Sequence, residues 1–169
     1  LFAVAAGEDA VAFPPARDYK RIGDGDTGPN TGGMGSFSPL PDVADEEAPA
    51  ILETVHLSVL RELARRGTPF QGLLYAGLMH TDAGLRVIEF NCRFGDPETQ
   101  SLLPRIESDL LPLLAGDLSQ QLELGDRAAV TVVVSGGAYP ERGDQGTPIE
   151  GVEAAEATGA LVLPPALAV

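Results

Sequence analysis

The chain of 169 residues has one cysteine, 11 basic residues against 25 acidic ones, and no long uncharged apolar run. Each shortage excludes something. Cys92 alone cannot form an internal disulfide, so stability has to come from a buried core and a reducing, cytoplasmic setting is expected. A formal net charge of −14 leaves no basic stripe to neutralise a phosphodiester backbone, so no nucleic-acid partner is expected. The acidity reads as solvation, and an anionic substrate needs a local cation or a metal to reverse the sign. Nothing approaches the roughly 20 apolar residues that cross a bilayer, and no charged-then-apolar leader opens the chain. No membrane partner is expected either. The only methionines are Met34 and Met79, and the chain opens on the apolar LFAVAAG, so a piece of a longer protein is expected.

What is present suffices for a core, with 44% hydrophobic residues. LFAVAAG and DAVAFPPA, separated by Gly7-Glu8, read as a hairpin. Ile51, Leu52, Val55, Val59, Leu60 and Leu63 recur at helical spacing, which predicts an amphipathic helix from Asp45 to Arg66, stopped by Gly67 and Pro69. FQGLLYAGLMH and LRVIEFNC flank the turn TDAG and predict a second hairpin. Pro97 opens a helical stretch with a break at Pro104, residues 116–127 are polar and linker-like, and AAVTVVVS predicts a buried strand.

Two segments can carry chemistry. In EFNCRFGDPE, strand alternation places Val87, Glu89 and Asn91 on one face, and Arg93 extends that alternation one step further. A carboxylate and an amide carbonyl are hard oxygen ligands suited to Mg²⁺ on nucleotide phosphates, and an arginine beside them supplies donors for phosphoryl oxygens. The same pattern also fits a plain sheet face carrying a Glu–Arg pair. The second segment, GDGDTGPNTGGMG at residues 23–35, holds six glycines. Unobstructed backbone N–H groups there can wrap an anion, and Lys20 and Arg21 add positive charge at its entrance. Asp24 and Asp26 oppose this unless they meet an amine or a metal, and a flexible surface linker has the same composition. His56 and His80 read as structural or surface residues, and Cys92, alternating away from Glu89, as packing.

DYKRIGDGDTGPNTGGMGSFSP, GLLYAGLM and VIEFNCRFGDPETQ, in this order and at these separations, resemble the phosphoribosylamine–glycine ligase family of the ATP-grasp superfamily, over roughly residues 1–152. The resemblance implies an α+β fold: the catalytic half of an ATP-grasp unit, an antiparallel sheet with flanking helices, over residues 1–116. A linker at 117–127 and the start of a small C-terminal α/β domain at 128–169 would follow. It implies ligation of glycine to 5-phosphoribosylamine through glycyl phosphate, with ATP as substrate and Mg²⁺ or Mn²⁺ as cofactor. On that resemblance Glu89 and Asn91 hold the metal, Arg93 and Lys20 are catalytic, and Gly32 and Gly33 belong to the acyl-phosphate loop. Asp24, Thr31, Asp96 and Pro97 fall at the substrate end. LLYAGLM offers no further carboxylate, so Glu89 and Asn91 are expected to be the only direct protein ligands. The resemblance further implies that the family's N-terminal α/β domain and adenine-clamping region lie outside these residues; the closing LPPALAV departs from its pattern, and this chain alone is expected to be inactive as a ligase. Its opening strand would leave an unpaired edge if its partners are missing, and the oligomeric state stays open.

Overall fold

The first apolar run folds against its neighbour as alternation dictates. A computed structural model describes residues 1–44, 46–143 and 146–164 of the chain. Strands β1 (Phe2–Gly7) and β2 (Asp9–Ala12) form the expected hairpin, and β1 pairs on its other side with β7 (Phe70–Thr81). β8 (Gly84–Asn91) completes an all-antiparallel sheet of order β2-β1-β7-β8. The opening strand is therefore central, not an unpaired edge. Its two faces explain why its first four residues, Phe2 to Ala5, are buried. Phe2 and Val4 enter a cluster with Phe13, Leu73, Leu102 and Leu113, while Ala5 lies with Leu60 and Leu74 on the other side. A small side chain at Ala5 lets a helix approach that face closely. Phe2, Phe13 and the partly buried Phe94 meet edge to face in the first cluster, and full burial of Phe2 and of Phe13 contributes about 2 kcal/mol each.

That helix is assembled from α1 (Glu47–Ile51), a π-helical stretch (Leu52–Leu57) and α2 (Ser58–Arg65). Asp45, where the sequence pattern starts it, lies outside the described residues. The wider π turns set the first two inward positions five residues apart, so Ile51, His56 and Leu60 are the buried set. His56 is thereby a core residue: Nε2 lies 3.2 Å from the Leu1 carbonyl oxygen, and burial lowers the imidazole's pKa.

A second sheet, β3-β6-β9, joins β3 (Arg17–Asp18), β6 (Gly35–Ser38) and β9 (Ala129–Val132). β9 is an edge strand pairing only with β6, and Val130 and Val132 are 74% and 76% exposed, so this strand is not the buried one expected. Alternation still holds, but only the other face has a partner. The helical stretch after Pro97 is α3 (Glu98–Leu102), a 3₁₀ turn (Leu103–Arg105) at the expected break, and α4 (Leu111–Leu114). Contacts divide the chain into Leu1–Val134 and Ser135–Val169, the second unit carrying α5 (Val152–Glu156). Among the described residues no helix is long and apolar enough to cross a membrane.

Candidate active site

The glycine segment is partly ordered as a hairpin of its own. β4 (Arg21–Gly23) pairs with β5 (Thr27–Asn30), and Asp24 sits in the turn, where its carbonyl accepts the Thr27 hydroxyl at 2.8 Å. The returning strand is tied back at Lys20. The Thr31 N–H and hydroxyl both donate to the Lys20 carbonyl, at 2.7 and 2.9 Å, while Lys20 Nζ donates to the Gly32 carbonyl at 3.0 Å. Arg21 Nη1 donates to the Gly28 carbonyl at 2.7 Å. The two cations at the entrance therefore hold the glycine-rich backbone in shape.

Gly33 explains one of the glycines physically. Its φ of +140° disfavours any side chain, and a Cβ there would collide with Pro97 Cδ and lie 3.0 Å from Asp18 Oδ1. The glycine segment and the GDPE segment thus touch at a point that only glycine fits. Ser36, just beyond, donates to the Pro97 carbonyl at 2.8 Å and fastens the same contact. Asp96 is exposed and accepts the Gln100 amide at 2.7 Å.

Behind this contact lies a group that no local pattern in the sequence marks. Glu98, 3% exposed, accepts the Tyr75 hydroxyl at 2.5 Å through Oε1. Asp18 is ion-paired with Lys20, with its side chain 9% exposed. Burial, reinforced by Glu98 and opposed by Lys20, raises the Asp18 carboxyl to about 6. Burial and the adjoining Glu98 carboxylate also push the Tyr75 phenol above its usual range. Glu98 was inside the motif already singled out, but an acid in the first turn of a helix is ordinary and gave no sign of burial.

The expected ligand pair is assembled on β8. Asn91 Nδ2 donates to Glu89 Oε1 at 3.1 Å, so the two side chains share a face. The register shifts beside them: Gly77 opposes Glu89 while Leu78 opposes Val87, leaving Ile88 as an extra residue. Ile88 consequently lines the same cavity as Glu89, and Val87 drops out of the face on which strict alternation had placed it. Gly77 leaves room for the acid, since a Cβ there would lie 3.3 Å from Glu89 Cγ. β8 ends at Asn91, so Arg93 does not continue the alternation. It is exposed, donates to the Phe94 carbonyl at 2.9 Å, and pairs with neither Glu89 nor Asn91. Cys92 is exposed and not part of the packing.

The cavity beside these groups measures about 400 Å³. Its polar wall includes Asp18, Lys20, Tyr75, Glu89 and Glu98, and its apolar wall Ala76, Leu78, Leu85 and Ile88. Of the expected residues it brings together Lys20 and Glu89; Asp24, Thr31, Gly32, Gly33, Asn91, Arg93, Asp96 and Pro97 are outside the lining. His80 lines it too, 3.2 Å from Glu47 Oε1. Among the described residues no cluster of three His, Cys, Asp or Glu could enclose a metal. The donor set still fits Mg²⁺, which keeps several waters and binds through one or two protein oxygens plus substrate phosphates. Glu89 and Asn91 supply two such oxygens.

The chain is similar to several known proteins. Residues 1–99 match the family model described as phosphoribosylglycinamide synthetase, ATP-grasp (A) domain. The chain is 50% identical over 159 residues to a phosphoribosylamine–glycine ligase of Streptomyces coelicolor, covering 90% of this chain and 38% of that protein. It is 43% identical over 159 residues to the trifunctional purine biosynthetic protein adenosine-3 of Gallus gallus, spanning 16% of its length. A crystal structure of phosphoribosylamine–glycine ligase from Thermotoga maritima superposes with a TM-score of 0.71 at 35% identity, covering 85% of this chain and 37% of that one.

Proposed function

Because the chain belongs to the phosphoribosylglycinamide synthetase ATP-grasp domain family, we propose that it is the catalytic portion of an ATP-dependent ligase joining glycine to 5-phosphoribosylamine. It spans 38% of the Streptomyces relative, and ligation is proposed for the complete protein; the chain alone is expected to show no turnover. Residues 1–116 are assigned to the ATP-grasp half, 117–127 to a linker, and 128–169 to the start of a further domain. The single free cysteine, Cys92, suits a cytoplasmic enzyme.

The observation that carries this reading is the Glu89–Asn91 pair, whose Glu89 lines the same cavity as Lys20, the residue that fastens the glycine segment. The chemistry is transfer of the γ-phosphoryl group of ATP to a glycine carboxylate oxygen. The amine then attacks the acyl carbon, the C–O bond to phosphate breaks, and the amine gives up a proton. Glu89 and Asn91 would hold Mg²⁺ or Mn²⁺, which supplies charge neutralisation between phosphates. Arg93 presents a fixed cation to the transferred group. The segment from Lys20 to Gly33 excludes water from the acyl phosphate, its glycines allowing the backbone to change shape.

The test is ligase turnover by the complete protein. Glu89→Ala and Arg93→Ala are each expected to lower kcat by about 100-fold or more, in line with loss of one preorganised charge-stabilising group. If both leave kcat intact, the assignment of roles is wrong.

A further inference from the structure

Resting on that reading, we propose that His56 is a positioning residue for the Glu89–Asn91 pair, holding strand β8 from behind through Phe90. The need for such a hold is visible in the strand itself. β8 is the edge of its sheet and pairs only with β7. Its register slips between Val87 and Glu89, immediately before the two side chains assigned to the metal. An edge strand has one ladder to fix its tilt, and here that ladder is broken at Ile88. Glu89 and Asn91 share one face, so Phe90 between them points to the other, toward the helix.

His56 meets it there. The two rings lie edge to face, with centroids 6.5 Å apart and planes at 90°. Phe90 is 38% exposed and His56 is fully buried, so the imidazole is the fixed member of the pair. A backbone bond sets its plane. The Leu1 carbonyl can only accept, so Nε2 carries the ring proton and donates to it across 3.2 Å. The same carbonyl accepts the Ala76 N–H at 3.0 Å, and Ala76 is the β7 residue directly opposite Phe90. One imidazole thereby ties the backbone before β1, the middle of β7 and the ligand-bearing end of β8. The π turns deliver it: α-helical spacing from Ile51 would turn Val55 inward instead, which has no donor. Such turns occur mostly at functional sites. An aliphatic side chain at position 56 could fill the volume without fixing a ring edge against Phe90. Two ligands on one ion need a common tilt, and affinity falls when the contacts behind them are removed.

The test pairs two readouts. In the complete protein with ATP, glycine and 5-phosphoribosylamine, the MnCl₂ concentration giving half-maximal turnover is measured alongside kcat. His56→Leu and Phe90→Leu are each expected to raise that concentration about fivefold, a smaller loss than for a partner bonded directly to a ligand. At saturating Mn²⁺ kcat is expected to stay within about twofold, and the double variant to be no worse than the worse single one. Leu60→Ala, which loosens the same helix at Ala5 and Leu74 instead, is expected to leave the Mn²⁺ requirement unchanged. The second readout needs no metal: ¹⁵N–¹H NMR of the 169-residue chain follows the Asn91 side-chain amide, which donates to Glu89. It is expected to move in His56→Leu and Phe90→Leu and to stay in place in Leu60→Ala. Should His56→Leu fail to fold, Phe90→Leu, at a partly exposed position, carries both readouts. The proposal is overturned by an unchanged Mn²⁺ requirement, by an equal rise in Leu60→Ala, by full additivity in the double variant, or by an Asn91 amide that stays in place. The ligase reading fails separately, by absence of turnover in the unsubstituted complete protein, and the Asn91 amide then still decides the proposal.

Discussion

Asp18 offers a measurable cost of keeping a carboxylate out of water. Its carboxyl titrates at 3.8 in the unfolded chain and is raised to about 6 in the folded one. Between those values the native state holds a proton that the unfolded state has released. Stability therefore falls as pH rises through this window, is flat above it, and is fully recovered below it. A shift of about 2 units at roughly 1.4 kcal/mol per unit sets the size at on the order of 2–3 kcal/mol. The Lys20 ion pair is already reflected in that shift, because Lys20 lowers the pKa against the larger effect of burial. Asp18→Asn removes the titration. Urea unfolding followed by far-UV circular dichroism at pH 4.5, 5.5, 6.5 and 7.5 compares the two chains, and their stability difference is expected to move by about 2 kcal/mol in favour of the variant as pH rises. His56, whose pKa is lowered by burial, titrates in the opposite sense but equally in both chains, so it cancels in the difference. Parallel pH profiles would refute the claim that Asp18 is a strained acid.

Two further outcomes follow from the packing. Gly33→Ala is expected to lower stability in urea by about 2 kcal/mol or more, since it meets Pro97 as well as an unfavourable φ, whereas Gly25→Ala, with φ +67° and open space around it, costs about 1 kcal/mol. Val130→Ser and Val132→Ser are each expected to change the stability of this chain by less than about 0.5 kcal/mol, because both side chains are exposed; a loss of 2 kcal/mol in the same denaturation assay would restore the buried strand.

Much of the fold was legible because it rests on local periodicity. The β1–β2 and β7–β8 hairpins follow from apolar runs broken by turn residues, and the stop at Gly67 follows from its φ of +76°. What escaped depended on register or on distance along the chain. The extra residue at Ile88 and the π turns that bury His56 each shift a pattern by one position without changing composition. The exposure of Val130 and Val132 depends on which face has a partner, and a run of valines reads the same in either case.

The candidate site divides along the same line. Glu89 and Asn91 could be paired from the sequence because two-residue spacing on a strand is a local rule, and the structure links them. Asp18 and Glu98 could not, since 80 residues separate them in the sequence and each looks ordinary alone. Their meeting depends on Gly33, where the glycine segment presses on Pro97 immediately before Glu98. The glycine run therefore has two physical parts. Around Asp24 and Gly25 its glycines serve a turn open to solvent, with no side-chain constraint at Gly25. From Thr31 to Gly33 they serve close approach, tied to Lys20 at one end and to Pro97 at the other. A cover that must move draws on the first part. The second must stay put, because any displacement of Gly33 would open the contact that encloses both buried carboxyls.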